Sequence, residues 1–259
     1  MGRRRRLVLD TVAALVLVSL LASGTAAAAT PGRIAETVGS ATEIPYVGFD
    51  VSWPNCDQTL PSGRDFAVVG VTGGHPFSTN PCLARQFAVA RGTGLAELYM
   101  NITAPNGATA GLGRTGPAGT CRPTMYWCRS YNYGYRAAAA AWSYAVRQLG
   151  SAGAHAPRWW LDVEFSPRWS SSPSVNAAAV AGALRYLESR RVRVGVYSTS
   201  YQWRTIVGPY RPRVAVWYAT AHTSTSLALQ HCGAAYGFTG GPVKIVQYTP
   251  GGLDADTLC

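Results

Sequence analysis

The 259-residue chain is basic, with 23 lysines and arginines against 12 aspartates and glutamates and a formal net charge of +11. Almost all of the positive charge is arginine, and it is dispersed along the chain. This argues against a nucleic-acid interface, because such interfaces concentrate basic residues on one face or beside stacking aromatics. The length suits one domain with its own core better than two.

The first residues are typical of a secretory signal peptide. Met1–Arg6 is basic, Leu7–Ala22 is largely apolar, and Ala26–Ala29 offers small residues for cleavage before Thr30. An uncleaved anchor is the alternative, but the apolar stretch is short and interrupted for a membrane span. We therefore expect a secreted, extracellular protein with no stable membrane anchor after cleavage. The predicted segments are a signal peptide (1–29), a linker (30–43) and a folded domain (44–259).

Six cysteines behind a signal peptide indicate an oxidising compartment and three disulfides. Sequence alone leaves the connectivity open. Pairing each cysteine with its nearest neighbour along the chain predicts Cys56–Cys82, Cys121–Cys128 and Cys232–Cys259. A zinc site is the competing interpretation, but the spacings contain no paired C-x-x-C and the four histidines are scattered, so no metal site is expected.

From Ile44 onward, strand-like apolar runs alternate with helical stretches. The predicted strands are Tyr46–Ser52, Phe66–Thr72, Leu95–Ile102, 158–165, Arg193–Ser198, Val214–Ala219 and Val243–Thr249. The predicted helices are Leu83–Arg91, Tyr135–Leu149 with a stop at Gly150, Val175–Arg190 with Ser174 as N-cap, Tyr201–Val207 and a weak helix near 225–232. Residues 103–133 are rich in Gly, Pro, Thr and Tyr, and they predict a long loop that is either functional or held by a disulfide.

Continuous apolar strands that alternate with helices are typical of a parallel sheet covered on both faces. Such a series within one domain predicts an α/β fold, specifically a barrel. The alternative architecture is an open doubly wound sheet. It is weakened because no G-x-G-x-x-G follows the first strand, and Gly73-Gly74 alone is a poor phosphate-binding signal.

The segment 158–165, with the sequence RWWLDVEF, is apolar enough to be a buried strand but carries two acids. Because side chains alternate along a strand, Trp160, Asp162 and Glu164 are predicted to share one face. The other face then carries the apolar residues Trp159, Leu161 and Val163. Two acids at the carboxyl end of such a strand are costly to bury, which suggests that they take part in chemistry.

If the strands close into a barrel, their carboxyl ends meet at one face, where barrel enzymes hold their catalytic residues. Acids and aromatics that converge from separate strands are typical of a sugar-cleaving site, because glycoside hydrolysis needs a protonated carboxyl and negative charge beside the developing cation. Neighbouring carboxylates meet this need, since their repulsion raises the pKa of one of them. The side chains expected at this face are Asp50, Asp162, Glu164, Tyr197, Trp217, Tyr218, Gln247 and Tyr248.

These motifs, in this order, resemble those of glycoside hydrolase family 25, the lysozymes or N-acetylmuramidases. The similarity spans about residues 46–259 and is closest to a secreted actinobacterial group with the opening G-F-D-V-S-W-P-N-C. It implies an irregular, TIM-like (β/α) barrel and a peptidoglycan substrate or a related acetamido polysaccharide. The segments that carry it are 48–53 (GFDVSW), 161–164 (LDVE), 195–199 (GVYST), 217–219 (WYA) and 247–249 (QYT) with Asp254.

The resemblance implies that Glu164 is the general acid. Asp162 would orient the acetamido group of the substrate and stabilise the charge that forms on it, while Asp50 and Asp254 would complete an acidic floor. Asp256 matches less well, because the family usually has an amide at that position. No cofactor is implied. The residues implied to bind the substrate are Tyr99, Tyr197, Trp217, Gln247 and Tyr248.

The chain also departs from the family pattern. Residues 54–56 (PNC) replace the usual Gln-Gly pair, the second strand lacks the usual basic residue before 70–74 (GVTGG), and 98–101 (LYMN) replaces Tyr-His-Phe. A wall-associated binding protein without catalysis therefore stays open as an alternative. The dispersed positive charge fits attraction to an anionic cell wall, although solubility explains it equally well. A peptidase on the same barrel is a third hypothesis, but the sequence has no G-x-S-x-G. Oligomeric state is not predicted.

Overall fold

A computed structural model describes residues 45–106 and 109–259 of the chain. The predicted signal peptide and linker lie outside the described residues. Within the described ranges, no helix has both the length and the apolar character needed to cross a membrane.

The described chain contains ten strands and five α-helices. The strands are β1 (Val47–Val51), β2 (Phe66–Gly70), β3 (Leu95–Asn101), β4 (Thr115–Gly116), β5 (Gly119–Thr120), β6 (Arg158–Asp162), β7 (Arg193–Ser198), β8 (Ala215–Ala219), β9 (Val243–Tyr248) and β10 (Ala255–Leu258). The helices are α1 (Leu83–Arg91), α2 (Tyr126–Ala154), α3 (Pro173–Ser189), α4 (Ser200–Val207) and α5 (Thr225–Leu229).

Eight of the strands close into a barrel in the order β1-β10-β9-β8-β7-β6-β3-β2, which confirms the predicted α/β barrel. All neighbours are parallel except β10, which runs antiparallel to both β1 and β9. The sequence did not predict β10, because its four residues include Asp256 and Thr257 and lack an apolar run. The strand is set by its neighbours instead, with Asp256 opposite Gly48 on one side and Gln247 on the other.

Two apolar layers hold the barrel together. The outer layer lies between the strands and the helices and contains Trp159, Leu161 and Val163. The inner layer fills the barrel and contains Trp160, which confirms the alternation predicted for this segment. Gly195 makes room for the indole, since a Cβ there would lie 2.2 Å from Cζ3 of Trp160. The inner layer consists of Phe66, Val68, Trp160, Ala215, Trp217 and Ile245.

The segment predicted as a loop over 103–133 contains more structure than expected. It carries the β4–β5 hairpin, and its last residues already belong to α2, which begins at Tyr126 rather than Tyr135. Tertiary contacts explain this early start, because Asn132 accepts a hydrogen bond from Ala118 N over 2.9 Å and donates one to Gly119 O over 3.0 Å. Gly150 breaks the helix as predicted, with a φ of 72°, before one further turn.

Helix α3 begins at Pro173, and its N-cap is Ser172 rather than the predicted Ser174. Proline at the first helical position has its φ already fixed for the helix and loses no intrahelical hydrogen bond there. The helix therefore starts two residues earlier than the apolar pattern indicated.

All three predicted disulfides form: Cys56–Cys82, Cys121–Cys128 and Cys232–Cys259. The last one ties the residue after β10 to the segment that follows α5. It therefore anchors the strand that closes the barrel.

Candidate active site

Five acidic side chains interact at the carboxyl end of the parallel strands. None of the five forms an ion pair with a basic residue; within 45–106 and 109–259 the single ion pair joins Arg158 and Glu97. Burial and mutual repulsion both oppose ionisation, so several of these acids have raised pKa values. The five are Asp50, Asp162, Glu164, Asp254 and Asp256.

Asp50 lies on β1, one residue before the strand ends. Its Oδ2 accepts a hydrogen bond from Nε2 of Gln247 over 2.8 Å, and Gln247 Oε1 in turn accepts one from the Tyr197 hydroxyl over 2.7 Å. Burial, followed by the charge of Asp254, raises the pKa of Asp50 to about 7. Asp50 thus titrates near neutrality.

Asp162 ends β6 and is oriented from β3. Asn101 Nδ2 donates to Asp162 Oδ2, and Asn101 is itself fixed by Thr72, whose hydroxyl donates to Asn101 Oδ1 over 2.7 Å and accepts from Asn101 N over 2.9 Å. The second oxygen of Asp162, Oδ1, is buried without a hydrogen-bond partner among the described residues. Burial, and then the charge of Glu164, raise the pKa of Asp162 well above its ordinary value.

Glu164 follows β6 and is half-buried, so it is the more accessible member of the pair. Its Oε1 lies 3.5 Å from Nε2 of Gln202, and Gln202 Oε1 accepts a hydrogen bond from Phe165 N over 2.7 Å. Trp169 Nε1 donates to the Glu164 carbonyl over 2.6 Å, which fixes the backbone. Burial raises the pKa of Glu164, as does the charge of Asp254, while the contact with Gln202 opposes the rise.

The last two acids come from the end of the chain. Asp254 is half-buried, and burial raises its pKa. Asp256 is fully buried on β10 and accepts a hydrogen bond from Trp217 Nε1 over 2.8 Å. Burial, and then the charge of Asp50, raise the pKa of Asp256 well above its ordinary value.

The aromatic residues predicted to bind the substrate divide into three groups. Tyr99 and Tyr197 are half-buried beside the acids. Trp217 is 2% exposed and packs against Tyr197 with 4.6 Å between ring centroids. It therefore packs beneath the acidic residues and offers no open ring face to a substrate. Tyr248 is not at the site: it lies in the outer layer, and its hydroxyl accepts a hydrogen bond from Thr225 Oγ1. Because Gln247 points into the barrel, the next residue on the strand must point outward.

Three polar residues that hold the acids were not predicted from the sequence. Thr72 and Asn101 orient Asp162, and Gln202 contacts Glu164. A signal for the first two exists in hindsight, since each is a polar residue placed at the end of an apolar strand.

Exposed aromatic side chains at the same end of the barrel were also missed. Phe165 and Tyr201 are 49% and 64% exposed and pack edge to face with centroids 5.8 Å apart. Trp53, which follows β1, is 49% exposed. Within the described ranges, no group of three or more His, Cys, Asp or Glu residues is arranged to hold a metal ion.

The chain is thus an α/β-barrel protein with a carboxyl cluster at the end where barrel enzymes carry their catalytic residues. A family model described as "Lysozyme-like protein 1" matches residues 119–230, a range that includes Asp162 and Glu164. A relative from Dictyostelium discoideum named "Probable GH family 25 lysozyme 4" is 39% identical over 62 residues. That match covers 23% of this chain and spans only 29% of the relative's length.

Solved structures share the fold at low sequence identity. The Clostridium perfringens spore cortex lytic enzyme SleM has a TM-score of 0.57 and 12% identity, with 83% of this chain and 67% of that chain covered. The catalytic domain of endolysin ply40 from bacteriophage P40 of Listeria monocytogenes has a TM-score of 0.53 and 15% identity, with 84% and 95% covered. A family 25 glycosyl hydrolase from Bacillus anthracis has a TM-score of 0.52 and 13% identity, with 82% and 88% covered.

The chain therefore shares its barrel fold with an endolysin catalytic domain and with a family 25 glycosyl hydrolase. The two sequence matches, to a lysozyme-like family model and to a relative named as a GH family 25 lysozyme, each cover less than half of this chain. The narrower similarity to a secreted actinobacterial group stays a prediction.

Proposed function

We propose that this protein is a secreted glycoside hydrolase that cleaves the glycan strands of peptidoglycan or of a related acetamido polysaccharide. The observation that carries the proposal is the pair Asp162 and Glu164, which lies within a cluster of five acids that has no ion-pair partner in the described chain. Such a cluster retains protons near neutral pH, and glycoside hydrolysis needs a protonated carboxyl beside an ionised one.

Glu164 is assigned as the general acid. It is the more exposed member of the pair, it has a raised pKa, and its carboxyl is contacted by Gln202. A protonated Glu164 donates its proton to the leaving glycosidic oxygen as the bond to the anomeric carbon breaks.

Asp162 is assigned to the acetamido group of the sugar. Its Oδ1 is a buried acceptor without a partner, and the N–H of an acetamido group would satisfy it. In its ionised form, Asp162 also stabilises the cation that forms when the acetamido oxygen attacks the anomeric carbon in place of a protein nucleophile. Asp50 and Asp254 complete the acidic floor below the reacting sugar.

Aromatic side chains around the acids are assigned to neighbouring sugars. The edge-to-face pair Phe165 and Tyr201 stands beside Glu164, and Trp53 stands on the loop after Asp50. Exposed rings of this kind can stack on the apolar faces of pyranose rings. The names of the similar proteins, a lysozyme and a spore cortex lytic enzyme among them, make peptidoglycan the first substrate to test.

We further propose export as an extracellular, wall-associated protein with a signal peptide over 1–29 and a catalytic domain over 44–259. Three disulfides within the domain support an oxidising destination. Removal of residues 1–29, with four arginines and one aspartate, lowers the formal net charge from +11 to +8, which still favours attraction to an anionic wall.

The test is release of reducing ends from purified peptidoglycan by the full chain, expressed through an oxidising compartment. Glu164→Gln is nearly isosteric but cannot donate the proton, so we expect the rate to fall about 10²- to 10⁴-fold. Glu188→Gln, at an exposed position on α3, is the matched control and should retain wild-type activity. Wild-type release with an unimpaired Glu164→Gln variant would remove Glu164 as the acid. No release from the folded wild type would overturn the hydrolase itself.

A further inference from the structure

Asp256 is a buried acid that the proposed mechanism does not use. Its Oδ1 accepts a hydrogen bond from Trp217 Nε1 over 2.8 Å, while its Oδ2 is buried without a donor among the described residues. Asp256 lies opposite Gly48 on β1, and Asp50 is two residues further along β1 on the same face of the strand, so the two carboxyl groups are neighbours inside the barrel. Two buried carboxylates side by side repel each other when both are ionised, which favours a proton on one of them.

The elements packed against Asp256 offer it no positive charge. Strand β1 contributes Asp50, β8 contributes the Trp217 indole, and the turn before β10 contributes Asp254. Strand β9 places Gln247 opposite Asp256, but its amide donates to Asp50. No lysine, arginine or histidine of the described chain forms an ion pair with Asp256.

The hydrogen bonds favour a proton on Asp256 rather than on Asp50. Because Gln247 already donates to Asp50, Asp50 is the acceptor in this group and suits the ionised form. Asp256 has one oxygen that acts as a carbonyl toward Trp217 and one that is free to carry hydrogen. A protonated acid that donates to a carboxylate forms a short, charge-assisted hydrogen bond. Burial raises the pKa of Asp256 well above its ordinary value, in agreement with this assignment.

We propose that Asp256 is a positioning residue that stays protonated at neutral pH and donates a hydrogen bond from Oδ2 to Asp50. With Gln247 as the second donor, this holds Asp50 as an oriented carboxylate under the substrate. The effect on hydrolysis rests on the proposed function, in which Asp50 belongs to the acidic floor. The protonation of Asp256 does not depend on it.

Two substitutions of Asp256 test whether its carboxyl is protonated or ionised. Asp256→Asn keeps both contacts without needing a proton, because its amide oxygen can accept from Trp217 and its amide N–H can donate to Asp50. Asp256→Leu has a similar volume but offers neither contact. Asp57→Asn, at an exposed position, is the control for the chemical change.

The first experiment needs no substrate. Infrared difference spectra of wild type minus Asp256→Asn at pH 7 should contain the carbonyl band of a protonated carboxylic acid, and spectra of wild type minus Asp57→Asn should lack it. The denaturant midpoint gives a second reading. An acid whose pKa is raised in the folded state destabilises the protein once the pH exceeds the pKa of the same acid in the unfolded chain. The midpoint of Asp256→Asn relative to that of wild type should therefore be higher at pH 8 than at pH 4. The proposal would be overturned if the band were absent and the difference in midpoint between wild type and Asp256→Asn were the same at pH 4 and at pH 8.

The second experiment measures hydrolysis against pH. Asp256→Leu should lower kcat about 10- to 100-fold with a smaller change in KM, as expected for a lost hydrogen bond to a charged group. Asp256→Asn should restore most of that loss. A collapse of kcat in Asp256→Asn would show instead that the ionised carboxylate of Asp256 is required, which overturns the proposal. If the band is present but no variant, including wild type, hydrolyses peptidoglycan, the proposed function fails and the protonation of Asp256 stands.

Discussion

Gln247 donates a hydrogen bond from Nε2 to Oδ2 of Asp50 over 2.8 Å, across 197 residues of sequence. The two side chains come from β9 and β1, which are not neighbours, since β10 lies between them. The contact therefore depends on closure of the barrel by the last strand. It joins the hydroxyl of Tyr197 to the acidic floor through a single amide.

Replacing Gln247 should shift the pH dependence of hydrolysis. Burial raises the pKa of Asp50 to about 7, and the hydrogen bond from Gln247 holds it below the value that burial alone would give. In Gln247→Leu this pKa should rise further, so that less Asp50 is ionised at a given pH. A hydrogen bond to a charged group is worth about 1.5–3 kcal/mol, which corresponds to about one to two pH units. The acidic limb of the rate profile should move upward by that amount.

The measurement is the rate of reducing-end release between pH 4 and pH 9. Gln230→Leu, at an exposed position after α5, is the matched control and should leave the profile unchanged. A uniform loss of rate at all pH values, without movement of the acidic limb, would contradict the assigned role of Gln247.

Local patterns predicted much of the barrel correctly. Helix Leu83–Arg91 and strand Arg193–Ser198 have the bounds expected from the sequence, because an amphipathic period and an apolar run identify them without help from distant residues. Strand β10 could not be found this way. It is a strand because β1 and β9 lie on either side of it, and one of its inward residues is an acid.

The same distinction applies to the site. Asp50, Asp162, Glu164 and Asp254 stand out as acids in an apolar sequence, and the structure brings them together with Asp256. Strand ends offer two adjacent residues that face opposite ways, so motif position alone could not separate Gln247, which faces the site, from Tyr248, which does not. The amides of Asn101 and Gln202 were missed because their importance lies in contacts across strands and loops.

A graded loss of activity is expected along the chain of hydrogen bonds that orients Asp162. Asn101→Ala removes the donor to Asp162 Oδ2 and should lower kcat about 10- to 100-fold, because the hydrogen bond is made to a charged or proton-sharing carboxyl. Thr72→Val removes the two hydrogen bonds between the Thr72 hydroxyl and Asn101 but keeps the amide that donates to Asp162. The loss of kcat should therefore be smaller than in Asn101→Ala. Steady-state kinetics on solubilised peptidoglycan give kcat and KM separately.

Thr93→Val is the control for this series, because Thr93 lies after α1 and its hydroxyl donates to Ala90 O. It should not change kcat. A larger loss in Thr72→Val than in Asn101→Ala would mean that Thr72 acts directly and not through Asn101.

Gly195→Ala should destabilise the barrel from within. A Cβ at Gly195 would lie 2.2 Å from the ring of Trp160, in the inner layer directly below the acids. Overpacking of this kind costs about 1–3 kcal/mol, which chemical denaturation without reductant can measure. Gly111→Ala is the control, since a Cβ there meets no atom within 4 Å. In a Trp160→Leu background the smaller side chain leaves space, so the same Gly195→Ala change should cost less. Equal costs in the two backgrounds would show that the indole is not what confines this position to glycine.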